Sequence, residues 1–134
     1  NGLLINEVIR FNATENPRKQ AAFPQYKYPN ARWRYSKIAE YLELGGNTEN
    51  EKIELLIKAI DELKDKVNMP KTISESGVSK ENFYRTLDEM CEDAFDDQCT
   101  GANPRYPLIS EIKQMYINVF ESNTINIDKT DENI

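Results

Sequence analysis

The segment Asp96-Asp97-Gln98-Cys99-Thr100-Gly101-Ala102-Asn103-Pro104-Arg105-Tyr106-Pro107 is dense in turn formers and polar groups, and it lies between two strongly apolar helical stretches. Gly101 permits close backbone approach or a positive φ, and Pro104 and Pro107 stiffen the loop. Cys99, Thr100 and Asn103 are small polar side chains suited to lining a pocket. A well-packed interhelix connection would use the same residue types, so composition leaves both readings open. Cys99 could act as a nucleophile only beside an activating base. The chain contains no histidine. That excludes a Ser-His-Asp or Cys-His site, or a His-based zinc or iron site, built from this chain alone. Arg105 could lower the thiol pKa modestly, but the better expectation for Cys99 is a small wall residue. Cys91 falls on an apolar stripe and is expected in the core. No catalytic residue and no metal ligand is assigned to this chain.

Two other clusters could carry chemistry. Asp88, Glu89, Glu92, Asp93, Asp96 and Asp97 offer oxygen ligands for a hard cation, but they lack the ligand spacing and glycine of a calcium loop. A solvated helix face is the expected reading. Between Pro17 and Ala39 lie Arg18, Lys19, Lys27, Arg32, Arg34 and Lys37 with no acid among them, interleaved with Phe23, Tyr26, Tyr28, Trp33 and Tyr35. Base stacking would need such residues, but the net charge of −6 repels phosphate backbones, so nucleic acid is an unfavoured partner. A solvated face with internal ion pairs, or a docking surface for an acidic partner or another domain, remains.

These loops need helices to position them. Leu3, Leu4, Ile5, Val8, Ile9 and Phe11 follow helical spacing from almost the first residue, which points to a cut chain with an upstream part. Asn12 to Asn30 reads as a long loop whose aromatics pack against the body. Asn30 is placed to cap a helix from about Ala31 to Glu43, with Trp33, Ile38, Tyr41 and Leu42 on its apolar face and Gly45-Gly46 ending it. Thr48 to Glu51 is a capping box. The next helix carries Ile53, Leu56, Ile57, Ile60, Leu63 and Val67 on one stripe until Pro70. Thr72 to Glu75 repeats the capping pattern, with Gly77 allowing only a short turn. Ser79 caps a helix facing Phe83, Leu87, Met90, Cys91, Ala94 and Phe95 inward. A final helix follows Pro107, with Leu108, Ile112, Met115, Tyr116, Val119 and Phe120 as its face. No stretch alternates with period two. The fold class is all-α, with about five helices and a short helical turn. Residues 1–121 are expected to form a helical lobe and residues 122–134 a polar, frayed tail.

The chain of 134 residues suffices for one core, and 39% hydrophobic with 30% charged residues suits a soluble globular domain. No apolar run approaches the roughly 20 residues needed to span a bilayer, so no membrane partner is expected. Asn1 to Arg10 lack the basic start and small-residue cleavage site of a signal peptide. Two cysteines in such a chain are expected as reduced thiols in the cytoplasm.

The wording of the sequence goes further. Asn1-Gly2-Leu3-Leu4-Ile5, Val8-Ile9-Arg10-Phe11-Asn12, Pro17-Arg18-Lys19-Gln20 and Phe23-Pro24-Gln25-Tyr26 closely resemble the iron-containing alcohol dehydrogenases. The chain looks most like the alcohol dehydrogenase half of their bifunctional aldehyde–alcohol dehydrogenase members. The stretch from Ala94 to Leu108 is the most specific match, and the resemblance runs to about Phe120. It implies the C-terminal helical lobe of a dehydroquinate synthase-like fold, whose other lobe is α/β and binds a nicotinamide cofactor. It implies a parent that interconverts short aldehydes and alcohols by hydride transfer, with Fe²⁺ as Lewis acid and NAD as redox partner. The family holds its metal through one Asp and three His, and Asn1 looks like the end of the stretch bearing the last of them. This chain by itself is therefore expected to bind neither cofactor and to be inactive. By position, Cys99 resembles the cysteine lining the family's substrate and nicotinamide cleft, with Thr100 and Asn103 beside it and Arg105 bracing the loop. The implied partners are the upstream lobe of the same polypeptide and further copies, in oligomers or filaments. The alternative is a helical interaction or filament-assembly module without catalysis.

Overall fold

The computed structural model describes residues 1–15 and 30–121, and local side-chain chemistry marks the starts of the helices that begin at Ala31, Glu49 and Lys80. The described residues form α1 (Ile5–Asn12), α2 (Ala31–Tyr41), α3 (Glu49–Lys66), α4 (Lys80–Asp96), a one-turn 3-10 helix (Thr100–Ala102) and α5 (Ile109–Glu121), with no strand among them. The Asn30 side chain accepts from the Trp33 amide at 2.9 Å, and Ser79 Oγ from the Asn82 amide at 3.3 Å. At Thr48 both halves of the capping box form, with Glu51 N donating to Thr48 Oγ1 (3.2 Å) and Thr48 N to the Glu51 carboxylate (3.4 Å). Glu49 and Glu51 in the first turn of α3, and Lys64 and Lys66 in its last, complement the helix dipole.

The helices make two hairpins, α2 with α3 and α4 with α5, and α1 touches α2, α3 and α5. One core joins Phe11 to Phe83, Leu87, Cys91, Ile112, Met115 and Phe120. Phe83 and Phe120 stack with ring centroids 4.2 Å apart. The other core joins Ile9 and Ala13 to Ile53 and Ile57. The faces of α1 thus serve both hairpins. The turn after α3 is fixed by its own side chains: Glu75 N donates to Thr72 Oγ1 (3.0 Å) and Lys71 N to the Glu75 carboxylate (2.9 Å). It then caps α5, since Ile73 N donates to Val119 O and Ser74 Oγ to Phe120 O.

Three expectations are corrected. Helix α2 stops at Tyr41, and Glu43 rather than a glycine takes the left-handed position, with φ 54°. Leu44 N reaches back to Ala39 O and Glu43 N to Glu40 O, the paired bonds of a Schellman cap. Gly45 and Gly46, both at φ +90°, belong to the loop beyond. Asn68 (φ 52°) ends α3 in the same way, two residues ahead of Pro70. The inward face of α2 is also not the predicted one. Trp33, Ile38, Leu42 and Tyr41 are exposed, Tyr41 to 87%, while Ala31, Ser36 and Ala39 are buried. Small residues let α2 lie close on its neighbours, and that geometry overrides the larger apolar rows. Along α3 the stripe is buried at Ile53, Leu56 and Ile57 but exposed at Leu63 and Val67. Most of the predicted 12–30 loop, and the predicted tail from residue 122, lie outside the described residues.

Candidate functional site

The loop after α4 is built by its own polar side chains. Asp97 Oδ1 accepts from the Cys99 amide at 2.7 Å, which turns the chain. Thr100 Oγ1 donates back to the Ala94 carbonyl at 2.6 Å and ties the 3-10 turn to the end of α4. The Asn103 amide group donates one proton to Asn12 Oδ1 (2.7 Å) and the other to the Arg105 carbonyl (2.5 Å). Its oxygen accepts from Asn12 Nδ2 at 3.1 Å, so the two asparagines pair reciprocally.

Arg105 anchors the loop from behind. It is only 3% exposed. Its Nη1 donates to the Phe11 carbonyl (3.1 Å) and to Thr14 Oγ1 (2.7 Å), and its Nη2 donates to Glu111 Oε1 (2.9 Å). The guanidinium also lies 4.1 Å from the centroid of the Phe11 ring. The other oxygen of Glu111 accepts from Leu108 N at 2.7 Å and caps α5. One arginine therefore satisfies carbonyl and hydroxyl groups at the end of α1 and the capping carboxylate of α5. The expectation that Arg105 braces the loop has a direct geometric counterpart here.

In front of this brace lies a cavity of about 330 Å³. Its loop wall holds Cys99, Thr100, Asn103 and Pro107. Leu4, Val8 and Phe11 close it from the α1 side, and Ile112, Met115 and Tyr116 from α5, with Asn1 and Ala94 completing the border. The volume is at the small end of ligand pockets, which run from roughly 300 to 1,000 Å³. All three residues singled out as pocket lining thus meet at one cavity. Cys99 is exposed and Cys91 is buried. Burial pushes the Cys91 thiol up, and burial likewise raises the Tyr116 phenol.

Reasoning from the sequence missed Asn12, which reads as the start of a loop but is a buried partner of Asn103. It also missed Glu7 and Asn118, buried and joined at 3.0 Å. The only available signal was a polar residue inside an apolar helical stripe, and nothing local pairs residues so far apart in the chain.

No described residue of the other two clusters lines the cavity, although Asp97 of the acidic one holds the Cys99 amide behind its loop wall. Among the described residues no three His, Cys, Asp or Glu side chains converge as metal ligands. From the acidic face of α4, Asp88 pairs with Lys113 at 2.5 Å. Arg32 pairs with Glu49 (3.1 Å) and Lys37 with Glu40 (2.6 Å), while Arg18, Lys19 and Lys27 lie outside the described residues. No helix among the described residues is long and apolar enough to cross a membrane.

The family model for the Fe-containing alcohol dehydrogenase family, C-terminal, matches residues 1–120. The chain belongs to that family. An aldehyde-alcohol dehydrogenase of Clostridium acetobutylicum is 62% identical over 121 residues, covering 90% of this chain and 14% of the relative. A bifunctional aldehyde-alcohol dehydrogenase of Escherichia coli K12 is 52% identical over 122 residues, with the same two shares. An alcohol dehydrogenase of Thermococcus barophilus is 44% identical over 90 residues, 67% of this chain and 22% of the relative. The chain therefore spans about a seventh of the length of the first two relatives. For an iron alcohol dehydrogenase segment, the described residues supply a pocket wall and its scaffolding. They do not fit an iron centre, since the chain has no histidine and its described acids do not converge.

Proposed function

We propose that this chain is the helical lobe that walls the active-site cleft of an iron-dependent, NAD-linked alcohol dehydrogenase, the alcohol dehydrogenase half of a bifunctional aldehyde–alcohol dehydrogenase. The whole protein would interconvert short aldehydes and alcohols by hydride transfer. The observation that carries this reading is the cavity at Cys99, Thr100 and Asn103, one wall of which is the loop whose wording resembles the family. The match over residues 1–120 supports it, as do relatives whose names state aldehyde and alcohol dehydrogenase activity.

In this reading the metal ligands and the nicotinamide-binding lobe come from elsewhere in a longer polypeptide, and the 134-residue chain alone is inactive. Its own residues hold the cleft wall rigid and exclude water from one side of it. Rigidity comes from the Asn12–Asn103 pair and from Arg105. Water exclusion comes from the apolar sides of α1 and α5. The protein would work in the cytoplasm, and its partners would be the upstream lobe and further copies of itself.

The test is nicotinamide reduction by ethanol with the full natural polypeptide containing this segment, with and without added ferrous iron. Iron-dependent turnover is expected, and Cys99→Ala should then alter KM more than kcat. No turnover with any short alcohol, despite bound iron, would overturn the reading.

A further inference from the structure

We propose that Arg32 and Tyr35 of α2 are positioning residues for the Cys99 loop. Neither lines the cavity, and both act on the loop through the last residues of α1. The effect on catalysis rests on the dehydrogenase reading above, and the effect on the loop does not.

Arg32 stands where its own helix does not favour it. It occupies the first turn of α2, which holds no acid, and a cation there meets the positive end of the helix dipole. Its side chain is nevertheless only 13% exposed. The guanidinium serves other helices: Nη1 donates to the Ala13 carbonyl at 3.2 Å, and Nε donates to the Glu49 carboxylate at 3.1 Å. Ala13 is the C-cap of α1. That is the negative end of the α1 dipole, where carbonyls lack partners within the helix. One arginine therefore ties the end of α1 to the start of α3. Tyr35 lies three residues further on, on the same face of α2. Its hydroxyl accepts from Asn12 Nδ2 at 3.4 Å. Its side chain packs against the core of Ile9, Ala13, Ile53 and Ile57.

The same end of α1 also receives the Cys99 loop. Arg105 donates to the Phe11 carbonyl and to Thr14 Oγ1, and Asn103 pairs with Asn12. Phe11, Asn12, Ala13 and Thr14 are all buried. Each is held by a side chain from α2 or from the loop, and Asn12 by both. The Asn12 amide group is the junction: its Nδ2 donates to Tyr35 and to Asn103, and its Oδ1 accepts from Asn103. Fixing that amide from α2 fixes which donor and which acceptor it offers to the loop. Coupling between separated sites travels through bonded, packed networks of this kind, and paired substitutions measure it.

The test is amide hydrogen exchange in the full natural polypeptide, followed on peptides covering residues 97–105, with KM and kcat for ethanol on the iron-loaded enzyme. Exchange reports local opening of the loop. Arg32→Ala should speed it by about tenfold or more, the scale of a charged hydrogen bond. Arg32→Lys should restore only part, because one ammonium lacks the fork that reaches Ala13 and Glu49 together. Tyr35→Phe keeps the ring in the core and should speed loop exchange by about two- to tenfold, the ordinary scale of one hydrogen bond. In an Asn103→Ala background the same change should add nothing, because its path to the loop runs through that pair. Lys37→Ala, which removes an exposed ion pair from the same helix, should leave loop exchange as it is. In Arg32→Ala, KM should rise severalfold with kcat little changed, since a loosened wall weakens binding rather than the chemical step. Faster exchange confined to α2 and α3, with loop exchange and KM as in wild type, would overturn the positioning role. Equal effects of Tyr35→Phe with and without Asn103 would do the same. Altered loop exchange in a protein that turns over no alcohol would overturn the dehydrogenase reading and leave the positioning role standing.

Discussion

The α4–α5 hairpin and the α2–α3 hairpin are made of similar amphipathic helices, yet they hold together differently. α4 and α5 turn large side chains inward, with Phe83, Leu87, Met115 and Phe120 buried. α2 buries Ala31, Ser36 and Ala39 and leaves Trp33, Ile38 and Leu42 outside. Side-chain size at a contact sets the distance between helix axes. Large side chains fill the core that α4 and α5 share, and small ones make up the buried face of α2. The α2–α3 pair leans more on its ends: the Asn30 cap, the capping box at Thr48 and two Schellman turns. The α4–α5 pair carries the cavity, and its loop is tied to α1 through a buried arginine. The site thus sits beside the core that holds Phe83, Leu87 and Phe120, next to the buried Arg105 network.

The comparison breaks most visibly at Arg105. Arg105→Ala removes donors to Phe11, Thr14 and Glu111 together. It is expected to cost about 3–5 kcal/mol, the range for breaking one side of a buried ion pair, read as a drop in urea midpoint. Arg105→Lys should recover little, because one ammonium cannot span the same three acceptors. A loss below about 1 kcal/mol would mean that packing of α4 on α5 holds the loop unaided. The next effect lies in the other hairpin. Ala39→Leu should cost about 1–3 kcal/mol by overpacking a fully buried contact. Ile38→Ala, one residue away and exposed, should stay within about 0.5 kcal/mol. The reverse order in thermal melts would restore the apolar face expected from sequence.

A third prediction concerns pH and the core that α4 and α5 share. Burial pushes the Cys91 thiol up from its ordinary 9.0, the negative charges of Asp88 and Glu92 add to the rise, and the charge of Lys113 partly opposes it. The folded chain keeps this proton after the unfolded chain has released it. Above about pH 9 the unfolded state therefore binds fewer protons, and stability falls with rising pH until the raised folded pKa is passed. Cys91→Ala, though less stable at neutral pH, should show a shallower alkaline decline between pH 8 and 10 in urea titrations. An unchanged slope would remove Cys91 as the cause.

Much of this was legible in the sequence, unevenly. Caps were readable because their partners lie three residues apart: Asn30 with Trp33, Thr48 with Glu51, Ser79 with Asn82. The inward stripes of α4 and α5 were readable because large residues recur at helical spacing. The face of α2 was not, since periodicity weights size and this contact selects smallness. In the loop, the residue types pointed to Cys99, Thr100 and Asn103 as a group, and the cavity joins them. What no spacing could say is that Thr100 and Asn103 spend their protons inside the protein. Thr100 gives its proton to the nearby Ala94 carbonyl and Asn103 one of its two to the Arg105 carbonyl, but the other Asn103 proton goes to Asn12, 91 residues away in the chain.

The smallest expected effect sharpens the view that the α2–α3 hairpin depends on its ends. Glu43 and Asn68 occupy equivalent left-handed positions, at φ 54° and 52°. An L side chain pays roughly 1–2 kcal/mol there, and asparagine tolerates the region better than most. Glycine escapes that cost but loses more backbone entropy on folding, roughly 0.5–1 kcal/mol relative to alanine. For Glu43→Gly the first term should exceed the second, giving a gain of a few tenths to about 1 kcal/mol. For Asn68→Gly the terms nearly cancel. Thermal melts of the two variants should therefore rank Glu43→Gly above Asn68→Gly. Equal melting temperatures would mean that the Glu43 side chain already offsets its strain, and that this end contributes less to the hairpin than its backbone geometry implies.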